Sequence, residues 1–235
     1  RKDFQVEVFD ANRHFHVIYP HRHDFYEVLF FTQGSGWHII DDRRYEIRPN
    51  TVFFLSPGQI HSIELSKDVL GYIFLFTADF FVFNKQNRDA LLELPFFYNL
   101  ENDTPPLSLE QEQVFLLTSL FKQGVGECNL AMSDSRYIVG ALLDIILAYC
   151  KRYYPVVSLE KVSKGKLLVK RFKQLIDERY LDNLGVKGFA DLLAVTPNHL
   201  NETVKLYTGK TASDLIEQKV VLEIKRLLKH TELSV

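Results

Sequence analysis

The segment HRHDFYE at residues 21–27, with the segment PGQIH at residues 57–61, holds the most informative side chains of the N-terminal half. If residues 21–27 form a β-strand, His21, His23, Phe25 and Glu27 share one face, because successive side chains point to opposite faces. Two imidazoles and a carboxylate, with His61 nearby, are the ligand types of a 2-His-1-carboxylate metal site. The same face could instead line a sugar-sized pocket. The rest of the chain has to decide between these two interpretations.

Residues 1–77 read as a β-rich domain. Short apolar and aromatic runs are separated by turn residues such as Pro20, Asp41-Asp42 and Pro49-Asn50, with no helical periodicity between them. Strands at such short spacing are typical of a sandwich or a barrel. The predicted strands are Phe4–Phe9, His14–Ile18, Phe25–Phe31, Trp37–Ile40, Val52–Leu55, Ile60–Leu65 and Gly71–Phe76.

The pattern becomes helical after Phe76, and residues 78–155 are predicted to extend the barrel with helices. Thr77 is a candidate N-cap for a short helix over Ala78–Val82, and Asn87–Leu94 predicts another. Ser108 and Gln111 have the spacing of a capping box, which would open a helix that continues to about Lys122. Gly124 and Gly126 are expected to end that helix.

A long apolar helix is predicted over about Asp134–Tyr154. Its apolar arc is wide enough to need more than one covering surface. Either the helix is fully buried within the subunit, or one side packs on the same helix of a second subunit across a two-fold axis. In the second case the dimer contacts would be Ile138, Leu142, Ile145, Ile146 and Tyr149. Residues 156–165 are interpreted as an interdomain linker.

Residues 166–235 are helical in pattern and contain a helix-turn-helix. A short helix over about Lys187–Leu193 precedes a helix over Pro197–Tyr207, and three residues separate them. Thr196 is a natural N-cap, and Gly209 suits the C-terminal cap. Asn can pair with adenine, Glu can accept from cytosine, and Lys can bind phosphate or guanine. The residues predicted to face DNA are Thr196, Asn198, His199, Asn201, Glu202 and Lys205.

Composition agrees with a cytoplasmic protein of two modest domains. The chain has 235 residues, a net charge of −2, and only two cysteines, Cys128 and Cys150, too few for a disulfide framework. No apolar run reaches the roughly 18 residues that a membrane helix needs, so no membrane association is expected. From Lys164 onward there are 13 basic and 9 acidic side chains, whereas residues 1–163 have 15 basic and 21 acidic ones. A positive C-terminal part is typical of a protein that meets a polyanion.

The histidine segments resemble the cupin superfamily. His21, His23, Glu27 and Gly34 match the first cupin motif in every spacing, and Pro57, Gly58 and His61 are similar to the second, although Leu65 stands where Asn is usual. The resemblance implies a jelly-roll barrel that encloses a cavity. In metal-binding cupins the matching ligands would be His21, His23, Glu27 and His61. In regulatory cupins the cavity holds an organic ligand, and the effector-binding residues would be His21, His23, Phe25, Glu27, Trp37, Tyr45 and His61.

Residues 189–235 resemble the arabinose-regulator (AraC-type) transcription factors. They match the family's first helix-turn-helix, and Thr211 would cap the connecting helix, Ala212 to about His230. Family members join an N-terminal cupin-like effector domain to two helix-turn-helix units. The sequence stops at Val235, where the second unit would begin, and it begins without Met. We interpret it as a trimmed chain that lacks the second unit and should bind DNA weakly.

We therefore expect an α+β protein, with a cupin-like barrel followed by helices and then an all-α helix-turn-helix domain. The resemblance implies a homodimeric transcription regulator and no enzyme, with duplex DNA and a small effector such as a sugar as partners. No cofactor is required, although the histidine face could hold a divalent metal. The alternatives are a metal-dependent cupin dioxygenase or isomerase using His21, His23, Glu27 and His61, and a non-catalytic sugar-binding module.

Overall fold

The computed structural model describes residues 3–11, 19–41, 43–83, 90–97, 104–154 and 164–230. The chain divides into two compact units. The first comprises Arg1–Phe97 and Asp103–Val157, and the second comprises Tyr98–Asn102 and Ser158–Val235. The predicted linker lies almost entirely outside the described residues. The predicted α+β class is confirmed, with the sheets in the first unit and only helices described in the second.

The first unit contains two antiparallel sheets. One sheet has the strand order β1-β7-β2-β5-β8 and the other has the order β4-β3-β6. The strands are β1 (Phe4–Asp10), β2 (Tyr26–Gln33), β3 (Gly36–Ile40), β4 (Arg43–Ile47), β5 (Thr51–Leu55), β6 (His61–Leu65), β7 (Leu70–Phe76) and β8 (Leu107–Ser108).

An apolar core joins the two sheets. Leu29, Phe31 and Phe53 of the larger sheet belong to the same buried cluster as Ile40 and Ile47 of the smaller one. The opposite face of the larger sheet is also covered, because Phe30 contacts the ring of Phe121 in the helical part, with centroids 5.7 Å apart. Burial on both faces explains why β2 and β5 read as continuous apolar runs rather than as alternating ones.

The helices of the first unit are α1 (Ala78–Val82), α2 (Gln111–Leu130) and α3 (Ser135–Tyr153). Thr77 caps α1 as predicted, since its side chain accepts a hydrogen bond from the N–H of Phe80. The predicted start and end of α2 are wrong. Ser108 lies in β8, and the capping box is formed by Glu110 with Gln113.

Two glycines lie inside α2 and do not end it. Gly124 is buried, and a Cβ atom there would lie 3.2 Å from Cγ1 of Val6 in β1. The glycine therefore lets the helix approach the sheet closely, and this packing outweighs the low helix propensity of glycine. The helix ends instead at Ala131, which adopts a left-handed conformation with φ 50°.

The second unit consists of helices around one apolar core. They are α4 (Lys164–Arg179), α5 (Val186–Leu192), α6 (Pro197–Thr208) and α7 (Ala212–His230), with a 3₁₀ turn over Tyr180–Asp182. Phe172 of α4, Phe189 and Ala190 of α5, and Leu200 and Val204 of α6 are all buried in that core. The short helix, turn and second helix predicted from the sequence are present.

Several strand predictions are confirmed to within a residue or two, and β4 was not predicted. Its sequence, RRYEI, carries three charged side chains, because β4 is the edge strand of the smaller sheet. The predicted strand His14–Ile18 lies outside the described residues, as do residues 87–89 of the helix predicted over Asn87–Leu94. Residues 91–94 form turns rather than a helix. Within the described ranges, no helix has both the length and the apolar character needed to cross a membrane.

Candidate functional site

The first candidate site lies where the two histidine segments meet. Residues 21–25 are not part of a strand as predicted, since β2 begins only at Tyr26. The backbone of His21 instead forms an isolated bridge with His61, with N···O distances of 2.9 and 2.8 Å. His23 and Glu27 are nevertheless in contact through their side chains.

A turn at Pro57-Gly58 ties the second segment to the first. The N–H of Gln59 donates to the carbonyl of Ser56 at 3.3 Å, which closes the turn. Gly58 has φ 83°, a value that favours glycine at the third position of such a turn. The N–H of Gly58 donates to the carbonyl of His23 at 2.9 Å, so the turn holds the backbone of the first segment in place.

The orientation of the His23 ring is fixed from one side. Its Nδ1 lies 2.9 Å from the carbonyl oxygen of Phe25, and the ring stacks on that of Phe25 with centroids 4.0 Å apart. Its Nε2 lies 2.7 Å from Oε2 of Glu27. This distance suits a hydrogen bond, but the direction of the ring nitrogen does not, and Nε2 has no hydrogen-bond partner among the described residues. The contact is therefore a close electrostatic one.

His38 completes the cluster, and sequence reasoning missed it. Its Nε2 lies 3.1 Å from Nδ1 of His61, and the His38 side chain is fully buried. The signal was present in β3, where His38 and Ile40 alternate with Trp37 and therefore point inward. The outer nitrogens of this pair, His38 Nδ1 and His61 Nε2, have no partner within the described part of the chain.

Burial and charge set the protonation of the cluster. Burial lowers the pKa of His38 to about 3, with a further contribution from His21 and His23. Burial also lowers the pKa of His61 to about 3, against the attraction of Glu27. Although burial raises the pKa of Glu27, the contact with His23 and the neighbouring histidines outweigh it, and the net pKa is lowered. Near neutral pH the cluster thus holds neutral His38 and His61 beside an ionised carboxylate.

The cluster has the donor set of a metal site. Single donor atoms of His23, Glu27 and His61 all lie within 4.8 Å of one another. One half-buried imidazole, one buried imidazole and a buried carboxylate suit zinc or another first-row transition metal. The unpartnered Nε2 atoms of His23 and His61 are the atoms that such an ion would need. His21, the fourth ligand predicted, is not in this group of donor atoms. Its Nδ1 lies 3.3 Å from the carbonyl oxygen of Tyr19, and its ring lies beside that of His61 with centroids 4.3 Å apart.

The aromatic residues predicted to line an effector pocket lie in different places. Phe25 belongs to the cluster through its stacking on His23. Tyr45 packs against the apolar core between the sheets. Trp37 does not fit the prediction, because it is 38% exposed and lies on the face of β3 opposite His38. The guanidinium of Arg44 covers its ring at 4.0 Å.

The second candidate site is the outer face of α6. Thr196 caps this helix, since its Oγ1 accepts from the N–H of His199 at 3.2 Å, and Pro197 occupies the first turn as predicted. Gly209 ends the helix with φ 70°. The side chains exposed along this face are Thr196, Asn198, His199, Glu202 and Lys205. They form a continuous polar surface that begins at the positive end of the helix dipole.

Asn201 and Leu206 change the predicted DNA-facing set. Asn201 is half-buried, and its Oδ1 accepts a hydrogen bond from the N–H of Ala212 at 3.0 Å. Its side chain therefore joins α6 to α7 and does not face outward. Leu206, beside Lys205, is 76% exposed, an apolar residue on this face that the sequence pattern did not single out.

The third candidate surface is on α3. Ile138 and Ile145 are 39% and 43% exposed, and Tyr149 is half-buried. Leu142 and Ile146 are buried within the subunit, so the predicted dimer face cannot include them. The exposed stripe is Ile138, Ala141, Ile145 and Ala148, whose spacing of three, four and three residues is that of a coiled-coil seam.

Comparison with known proteins shows what the chain is similar to. Residues 3–115 match the AraC-like ligand binding domain. The HTH-type transcriptional regulator YfiF of Bacillus subtilis is 22% identical over 240 residues, covering 99% of this chain and 74% of that protein. The HTH-type transcriptional activator RhaS of Escherichia coli O127:H6 is 23% identical over 223 residues, covering 92% of this chain and 75% of RhaS. The chain is therefore similar to an AraC-like ligand binding domain over residues 3–115, and to HTH-type transcription regulators over more than nine-tenths of its length.

The predicted resemblance to AraC-type transcription regulators is thereby confirmed. Among solved structures, ToxT of Vibrio cholerae aligns with the whole chain and with 86% of its own length, at 14% identity and a TM-score of 0.49. The relatives are regulators and not enzymes, which agrees with the prediction that the chain is no enzyme.

Proposed function

We propose that this chain is an AraC-type, effector-responsive transcription regulator, in which the first unit binds a small molecule and the second reads duplex DNA. The observation that carries the proposal is the geometry of α6, whose cap at Thr196 and exposed polar face suit insertion into a major groove. The match of residues 3–115 to a ligand binding domain supports the sensing role of the first unit.

Five exposed side chains of α6 supply the chemistry for reading DNA. Asn198 can pair with adenine through two hydrogen bonds, and Glu202 can accept from cytosine. Lys205 can bind a phosphate or a guanine, and the N-terminal turn with Thr196 and His199 lies at the positive end of the helix dipole. We assign no base contact to Asn201, because its oxygen is engaged by Ala212.

We place the effector at the His23–Glu27–His61 cluster. A buried carboxylate and unpartnered imidazole nitrogens can bind the hydroxyl groups of a small polar molecule such as a sugar, and Phe25 offers an aromatic surface beside them. Such a ligand changes DNA binding only if it prefers one arrangement of the protein over another. DNA binding also implies that the protein works in the cytoplasm, where bacterial DNA is found.

We further propose that the chain forms a homodimer through α3. Ile138 and Ile145 supply apolar contacts, while Ala141 and Ala148 would allow two helices to approach closely. Arg152, one turn after Ala148, stacks over Tyr149 at 5.1 Å, so the end of this stripe is already ordered within one subunit.

A selection of binding sites tests the proposal. The chain is incubated with a pool of random duplexes, and bound DNA is amplified and sequenced over several rounds. We expect enrichment of one sequence motif, and a duplex carrying it should compete better than scrambled DNA. Failure to enrich any motif, together with equal affinity for all duplexes, would contradict sequence-specific reading.

A thermal-shift screen of sugars and polar metabolites tests the sensing role separately. A ligand at a hundredfold excess over its Kd should stabilise the protein by about 2.7 kcal/mol. His61→Ala should abolish the shift, whereas Lys205→Ala should retain it. A ligand that stabilises the wild type and His61→Ala equally would move the effector site elsewhere.

A further inference from the structure

We propose that His38 is a positioning residue for a divalent transition-metal site formed by His23, Glu27 and His61, and that it acts through the proton it shares with His61. The metal site is the cluster at which the effector is placed, but the role of His38 is tested by metal binding alone and so does not rest on the regulatory function. It rests on the hydrogen bonds of His23 and His61, and on the ring nitrogens of this cluster that have no hydrogen-bond partner among the described residues.

The first hydrogen bond fixes the tautomer of His23. A carbonyl oxygen can only accept, so the contact of 2.9 Å with the carbonyl of Phe25 requires the proton on Nδ1. In the neutral ring Nε2 is then a lone pair, and it lies 2.7 Å from the carboxylate oxygen of Glu27. Two acceptors at this distance repel each other, so the contact needs a positive charge, supplied either by a second proton on His23 or by a bound metal ion. The geometry thus favours a positive charge at this position.

The second hydrogen bond gives His61 two alternatives. One proton lies between His38 Nε2 and His61 Nδ1, which are 3.1 Å apart. If His38 holds it, neutral His61 carries its own proton on Nε2 and cannot be a ligand through that atom. If His61 holds it, its Nε2 is a lone pair available to a metal. The acceptor strength of His38 therefore decides whether His61 is ready to bind a metal.

Without a metal, each alternative leaves one buried N–H of the pair with no acceptor among the described residues, His61 Nε2–H in the first and His38 Nδ1–H in the second. A metal ion bound to His61 Nε2 requires the second alternative. His61 is 3% exposed, and its Nε2 has no hydrogen-bond partner in the described ranges of the chain. A buried N–H without an acceptor is costly, whereas a bare nitrogen that binds a metal is satisfied. Histidine ligands usually donate their other N–H to an outer group that orients the ring, and here that group is His38.

Metal affinity tests the role of His38. The wild-type chain is stripped of metal, and Zn²⁺ binding is measured by competition with a chromophoric chelator. Co²⁺ is used in parallel, because its visible absorption reports the coordination geometry. We expect one ion per chain in the wild type and none in His61→Ala. Absence of stoichiometric Zn²⁺ and Co²⁺ binding by the wild type would overturn the proposal.

Two substitutions of His38 distinguish its role in positioning His61 from its contribution to packing. His38→Leu fills the space without an acceptor and should weaken Zn²⁺ binding by about 10- to 100-fold. In His38→Gln the amide oxygen can accept from His61 Nδ1–H, so most of the affinity should return. Ile39→Leu, on the opposite face of β3, is the matched control and should bind as the wild type. Equal affinity of His38→Leu and the wild type, or equal loss in the Leu and Gln variants, would refute the role of His38.

The tautomers of the histidine rings can also be determined in the wild type. The proposal can therefore be tested even if a variant does not fold. Long-range ¹H–¹⁵N correlation spectra distinguish the protonated from the bare nitrogen of each ring. With Zn²⁺ present, His61 should carry its proton on Nδ1, and its Nε2 signal should shift on metal binding. A His61 ring protonated at Nε2 in the Zn²⁺-loaded protein would overturn the proposal.

Discussion

The side-chain oxygen of Asn201 in α6 accepts a hydrogen bond from the backbone N–H of Ala212 at the start of α7, at 3.0 Å. The first N–H groups of a helix lack partners within the helix, and this bond satisfies one of them. Ala212 is fully buried, so water cannot replace the asparagine. We therefore predict that Asn201→Ala lowers the free energy of unfolding of the second unit by about 1 to 2 kcal/mol.

Urea denaturation measures this loss, with Asn198→Ala as the matched control. Asn198 is exposed on the same helix, so its replacement should change stability by less than about 0.5 kcal/mol. Equal stabilities of the two variants would show that the bond between Asn201 and Ala212 contributes nothing.

Gly124 and Gly126 in α2 should respond oppositely to substitution. A Cβ at Gly126 would meet nothing within 4 Å, so Gly126→Ala should stabilise the first unit by about 0.5 to 1 kcal/mol through helix propensity. At Gly124 a larger side chain would collide with Val6, so Gly124→Leu should lower the free energy of unfolding by about 1 to 3 kcal/mol. Thermal and urea unfolding give both values. A Gly124→Leu variant as stable as the wild type would mean that α2 does not need its close approach to β1.

Dimerisation through α3 predicts that Ile145→Glu produces a monomer in sedimentation velocity. The substitution places a charge in the exposed stripe without disturbing a buried residue, since Ile145 is exposed in the single subunit. Gln123→Glu, an exposed position of α2, adds the same charge outside the stripe and should leave the association unchanged. Ile146 is unsuitable for this test because a charge there would unfold the subunit. A dimer that persists in Ile145→Glu and in Ile138→Glu would exclude this face.

The first unit should lose stability in mild acid. The pKa of His38 and the pKa of His61 are both about 3 in the folded protein, below the usual value of 6.5. Between pH 6.5 and pH 3 the unfolded chain therefore binds more protons at these rings, and stability falls as the pH falls. Each ring contributes a slope of up to about 1.4 kcal/mol per pH unit. The groups facing them are Glu27, whose own lowered pKa acts only at more acidic pH, and the rings of His21 and His23.

Urea unfolding at pH 7 and pH 5, with chelator present, measures the effect. Between pH 7 and pH 5 we expect the free energy of unfolding of the wild type to fall by about 3 to 4 kcal/mol. In His38→Leu it should fall by about half as much. If the two proteins show the same dependence on pH between these values, His38 does not stay neutral in the folded state.

The sequence predicted what local patterns determine. The cap at Thr196, the turn before Pro197 and the left-handed end at Gly209 each follow from one residue and its neighbours, so the helix-turn-helix was predicted to within a residue. Proline and glycine at 57 and 58 likewise suit the turn at the histidine cluster.

What the sequence did not predict depends on tertiary contacts. Gly124 is a helix breaker by propensity, and only its packing on Val6 explains why α2 continues. His23 contacts Glu27 from a segment that precedes the strand, and His38 of β3 joins the cluster through His61, twenty-three residues away in the chain. Asn201 and Asn198 are equally polar in the sequence, and the contact with Ala212 alone distinguishes a structural residue from a DNA-facing one.

The affinity of the chain for its selected duplex, measured by fluorescence anisotropy at several salt concentrations, tests most directly whether α6 reads DNA. Lys205→Ala should weaken binding, because one cationic contact with the duplex is lost. The slope of log affinity against log salt concentration should become shallower by about one unit. Asn198→Ala should weaken the binding free energy for the selected duplex by about 1 to 3 kcal/mol, and that for scrambled DNA by much less. Lys122→Ala, an exposed lysine of α2, is the matched control and should bind as the wild type. Wild-type affinity and salt dependence in both α6 variants would contradict DNA reading by this helix.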